Sequence, residues 1–107
     1  MTLTGHENHS ISLADAAAMT KTYRNSIVSG DTISHYFGKD AILAILNQTN
    51  CVGVRIYYGL DSAGAKQIIA VGAVSDGDDL YQGLLAERTV KCPYECPGAN
   101  PLNTNAS

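Results

Sequence analysis

Between Val52 and Tyr58 the chain alternates: Val52, Val54, Ile56 and Tyr58 fall on one side, Gly53, Arg55 and Tyr57 on the other. A period of two marks a strand with one wet face. GLDSAGAK follows with turn residues and QIIAVGAV returns, so residues 52–59 and 67–74 are predicted to pair as an antiparallel hairpin. SDGDD supplies a further turn, LYQGLL over residues 80–85 is the candidate third strand, and extended coil is expected from Thr89 onward.

Upstream the period changes. Leu13, Ala16, Met19, Thr20, Tyr23 and Ile27 recur at steps of three and four, the spacing of a half-buried helix. Ser12 precedes this stretch and Asp15 sits in its first turn, the residue types that satisfy and complement a helix start. Ser29-Gly30-Asp31 ends it. A second helix is predicted over residues 39–47. Its AILAIL core is apolar on nearly every side, which suits a helix sandwiched in the core or shared with another subunit. A strand is the alternative for so short a run, but Lys39-Asp40 before it and Asn47-Gln48 after it favour helix.

The fold expectation is therefore α+β: two N-terminal helices packed on one face of a small antiparallel sheet. A flexible arm over residues 1–11 would precede a single domain over 12–91, and a Cys/Pro tail over 92–107 would follow it. Burying Val52, Val54, Ile56, Ile69 and Val71 would contribute ~1.5–3 kcal/mol each before chain entropy is subtracted.

Composition narrows the partners. The 107 residues are 45% hydrophobic and only 16% charged, with a net charge of -3; so light a charge favours self-association. Lys21, Arg24, Lys39, Arg55, Lys66, Arg88 and Lys91 are scattered, which gives no footprint for nucleic acid. The longest apolar run, residues 41–46, is too short to span a bilayer, and no membrane partner is expected. The polar start MTLTGHENHS lacks a signal-peptide pattern and implies a cytoplasmic protein; a leader removed before residue 1 would instead allow export.

The chemistry concentrates in TVKCPYECPGANPLN, residues 89–103. Cys92 and Cys96 can form a local disulfide that clips the tail to the domain, or stay as inert thiols. They can also hold a metal, zinc above all, if Cys51 and one of His6, His9 or His35 complete four ligands. Cycling as a redox pair, or ligating haem through a cysteine-proline dipeptide, are further options. Three cysteines do not suggest a disulfide framework, but the missing C-x2-C signature weakens the metal and redox options, so the local clip or inert thiols lead and no cofactor is expected. A second constellation is His35 with Cys51 or Tyr57, where His35 or Arg55 would activate a thiol. The bland alternative is a buried thiol acting as a small hydrophobe. Arg55 and Tyr57 also share the strand's polar side as a candidate binding face. Asp76, Asp78 and Asp79 carry oxygen ligands for calcium, but lack the alternating pattern of a calcium loop and read first as a turn.

At HYF, LNQ, CVGVRIYYGLD and CPYEC…NPLN, the sequence resembles a group of small bacterial proteins of about this length with no assigned function. The resemblance runs from Ser12 to Asn103. It implies a stand-alone bacterial protein and brings no catalytic residues. A serine commonly precedes the second helix in that group, where this chain has Gly38. The function expected on all these grounds is a non-enzymatic binding or interaction protein that forms a homodimer. The alternatives are a metal- or thiol-dependent protein built on Cys92 and Cys96, and a small enzyme using His35 with Cys51 or Tyr57.

Overall fold

The computed structural model describes residues 2–104. Its elements in chain order are α1 (Leu13–Ser26), β1 (Ser34–Tyr36), α2 (Lys39–Leu46), β2 (Gly53–Leu60), β3 (Lys66–Ala73), β4 (Leu85–Ala86) and β5 (Val90–Cys92). One sheet has the order β2-β3-β4 and a second pairs β1 with β5. The fold is a small α+β one. The described residues divide into two compact units, 2–7 with 36–89 and 8–35 with 90–104.

The first unit is organised by the predicted hairpin. β2 and β3 pair antiparallel without a bulge, one residue against one, from Gly53 opposite Ala73 to Leu60 opposite Lys66. Asp61 builds the connection: one carboxylate oxygen accepts from the amides of Ala63 and Ala65, both at 2.9 Å, and the other from Gln67 Nε2 at 3.0 Å. Gly64 turns the chain there at φ +84°, a left-handed value that glycine adopts without steric cost. β4 adds Ala86 opposite Ala70 and Leu85 opposite Val71. Helix α2 packs on β2 and β3 and buries Ile45; the other buried apolar side chains of this unit, Ala70, Val71 and Ala73, are small and alternate between the two faces of β3. At its C-terminal end, Gln48 donates from Nε2 to the Ile45 carbonyl and accepts through Oε1 from the Leu84 amide, both at 2.9 Å.

The second unit holds α1, Ser34 and His35 of β1, β5 and the C-terminal segment. Ser12 caps α1 as expected, its hydroxyl accepting from the Asp15 amide at 3.1 Å. The Ile33 amide donates to the Cys92 carbonyl at 2.8 Å beside the β1–β5 pair. Beyond it, Asn100 draws residues 98–104 into a self-bonded turn. Its side-chain oxygen accepts from the Leu102 amide (2.8 Å), and its carbonyl accepts from the amides of Asn103 (3.1 Å) and Thr104 (3.0 Å).

Several expectations change. The arm is anchored over residues 3–7: the Leu3 amide donates to the Ser75 carbonyl at 2.7 Å, and the Glu7 carboxylate accepts from the amides of Thr4 (2.8 Å) and Gly5 (3.0 Å). Those bonds, the Thr4 amide foremost, hold the Glu7 carboxyl down at about 2. The single domain drawn over 12–91 is divided between the two units, and α1 groups with the C-terminal segment. On α1 the sheltered stripe is Ala16, Ala17, Thr20 and Arg24, continued by Ile27 at its C-cap, while Leu13, Met19 and Tyr23 are exposed. The SHYF connector and part of the expected coil become β1 and β5, because each supplies the other with backbone partners. The third strand shrinks to Leu85–Ala86, with Ala73 and Asp79 forming a bridge ahead of it. Of the five apolar hairpin residues, Val71 alone is fully buried and Ile56 is exposed.

Candidate interaction surface

Strand periodicity places Arg55 and Tyr57 on one face of β2, two residues apart. The turn that returns the chain after β3 brings Asp79 to both. Gly77 adopts φ +98° within this turn, its amide donating to the Val74 carbonyl, while the Val74 amide donates to that of Asp78, both at 3.0 Å. Asp79 then accepts from Arg55 Nη1 through one oxygen and from the Tyr57 hydroxyl through the other. The same Arg55 nitrogen donates to the Gly77 carbonyl at 3.0 Å. The arrangement latches the turn onto the strand.

The latch shifts its members in opposite senses. The Tyr57 hydroxyl, and then Arg55, hold the Asp79 carboxyl below its ordinary 3.8. Asp79 in turn raises Tyr57 above its ordinary 10.0 and Arg55 above its own value. A depressed carboxyl contributes stability above its unfolded pKa and loses it as pH falls through the folded one. A raised phenol contributes below its unfolded pKa and loses it as pH climbs through the folded one. The latch is thus complete from just above pH 3.8 to about pH 10. Asp79→Asn is expected to lower the urea midpoint within that window and to flatten its decline on the acid side. A variant midpoint that falls below pH 4 as steeply as the wild type's would show that the latch does not act this way.

The other face of β2 is apolar and opens to solvent toward the hairpin tip. Ile56 is 43% exposed, Leu60 71% and Tyr58 92%, with Ile68 opposite Tyr58. Among the described residues β2 pairs with β3 alone, so it is an edge strand. Native edges are usually protected by proline, by a bulge or by free charge. β2 has no proline or bulge, and its single charge, Arg55, is tied to Asp79. On α2, Leu43 and Leu46 are also exposed, so the all-round apolar helix buries one side only.

The remaining candidates sit elsewhere. Cys92 and Cys96 are joined by a disulfide across a Cα–Cα distance of 4.7 Å, with Cys92 buried; in this form neither sulfur is a thiolate that a metal could bind. Cys51 donates its thiol to the Gly53 carbonyl at 3.2 Å. His35 lies on β1 in the second unit, half-buried, and its pKa is lowered by burial and by the charge of Lys91. Tyr57, the third member of the enzyme alternative, has its hydroxyl committed to Asp79. His6 and His9 are exposed. Asp76 accepts from the Asp78 amide at 3.0 Å, the expected turn. Among the described residues no three His, Cys, Asp or Glu side chains gather as a metal site.

Arg55 and Tyr57 are legible as a shared face in the sequence, whereas Asp79 as their partner is not. Their i, i+2 spacing was the available signal, and a carboxylate in the turn after the returning strand was the residue to pair with it. No protein-family profile, curated protein or solved structure matches this chain. No helix among the described residues is long and apolar enough to cross a membrane.

Proposed function

We propose that this chain is a non-enzymatic interaction protein that assembles as a homodimer, with two β2 edges pairing antiparallel about a twofold axis. The observation that supports it is the unprotected edge: eight residues of regular strand, with no proline, bulge or uncompensated charge, ending in the solvent-facing side chains of Ile56, Tyr58 and Leu60. An isologous contact of this kind joins two three-stranded sheets into one of six. It satisfies strand amides and carbonyls that water otherwise solvates, and it covers apolar side chains that a monomer leaves wet. The latch serves this reading by removing the free charge of Arg55 from the strand.

Light scattering on the eluting full chain tests it. The wild type is expected at twice the chain mass at micromolar concentration. Tyr58→Lys puts a charge on the edge at a side chain that packs on almost nothing within the chain, and is expected to give the single-chain mass with an unchanged circular dichroism spectrum. A wild-type monomer at high micromolar concentration, or a Tyr58→Lys protein that stays dimeric, would overturn the assembly.

A further inference from the structure

Within the second unit, α1, the residue before β1 and the self-bonded C-terminal turn border an open cleft of about 250 Å³ lined by Met19, Thr20, Tyr23, Arg24, Ile33 and Leu102, of which Met19, Tyr23 and Leu102 are exposed. Its construction is specific. The Asn100 turn fixes Leu102, whose carbonyl accepts from Arg24 Nη1 at 2.7 Å across 78 residues of sequence. The Tyr23 hydroxyl donates to the Thr32 carbonyl at 3.2 Å, holding the ring beside Ile33. Thr20 donates its hydroxyl to the Ala17 carbonyl at 3.1 Å.

The lining has an uneven chemistry. Met19, Ile33, Leu102 and the Tyr23 ring are apolar, and the one charge is the half-buried Arg24. No lining residue is a carboxylate. Among the described residues the Leu102 carbonyl is the sole acceptor for Arg24, so Nε and Nη2 have no protein partner. A guanidinium held at an apolar cleft with donors to spare matches a planar anion, and a carboxylate meets it with two parallel hydrogen bonds. A volume of about 250 Å³ lies just under the roughly 300–1,000 Å³ of ligand pockets, which suits a small molecule. We propose that this cleft binds a small apolar monocarboxylate, the carboxylate on Arg24 and the hydrocarbon body against Met19, Ile33 and Leu102. The site is independent of the β2 edge.

Titration of the 15N-labelled full chain with benzoate, followed by heteronuclear NMR, tests the proposal. Saturable shifts are expected at the Arg24 side-chain Nε–H and at the amides of Thr20, Ile33 and Leu102. Neutral benzamide and inorganic phosphate are each expected to bind about tenfold more weakly or worse, since one lacks the charge and the other the apolar body. Arg24→Gln should lose benzoate by a similar factor. Because that change also removes the bond to Leu102, Met19→Glu provides a second variant that leaves the bond in place and fills the cleft with a competing carboxylate; it should abolish the shifts. Absence of saturable shifts with benzoate, equal binding of benzamide or phosphate, or unchanged benzoate affinity in either folded variant would each overturn the assignment.

Discussion

Truncation of Ile45 to alanine is expected to lower the unfolding free energy by about 2–5 kcal/mol, read as a fall in the urea midpoint at unchanged slope. Ile45 is 1% exposed and is the one large, fully buried side chain among the described residues. The other buried apolar side chains of the first unit, Ala70, Val71 and Ala73, are all smaller than isoleucine, so the unit holds no large buried side chain to take up the space it would leave. A cavity that cannot collapse gives the upper part of the range. Total stabilities of single domains are about 5–15 kcal/mol, so the loss would leave a marginal protein. Leu43→Ala, on the same helix but at an exposed position, separates packing from helix propensity and is expected to cost under about 1 kcal/mol. Comparable losses from the two substitutions would mean that Ile45 does not anchor α2.

Gly83→Ala is expected to be the next most damaging change, at about 1–3 kcal/mol, although Gly83 is exposed and needs no unusual φ. The reason is Gln48. A Cβ on Gly83 would collide with Gln48 Oε1 and come within 3.3 Å of its Cδ. A Cβ on Gly72 would meet the same side chain from the strand, 3.0 Å from Nε2. The two glycines thus form a slot in which the Gln48 amide reaches both Ile45 and Leu84. An alanine at position 83 pushes the amide out and strips the Leu84 N–H of its partner. A double-mutant cycle decides the matter: in a Gln48→Ala background, Gly83→Ala should keep only the smaller cost of its 3.3 Å approach to the Leu80 carbonyl oxygen, giving a coupling of about 1 kcal/mol or more. Additive losses would remove the slot as the explanation.

Where structure depends on neighbours a few residues away, the amino-acid sequence settled it. The Ser12 cap, the bounds of α2, the β2–β3 hairpin and the turn character of SDGDD all rest on periodicity, capping or turn chemistry that acts within about one turn or one hairpin. Contacts that join distant segments were not legible in this way. β1 and β5 are three-residue strands with no pattern of their own, and they exist because they meet. Arg55 and Tyr57 carried a visible spacing, but their carboxylate lies 24 and 22 residues away, and Arg24 meets Leu102 after 78. Burial was the least readable property. Alternation fixes which side chains of β2 share a face, whereas a face is dry only where another element covers it. The chain covers the end of the hairpin near Ala70 and Gly72 and leaves Ile56, Tyr58 and Leu60 to solvent, a choice made by where α2 and Gln48 come to rest.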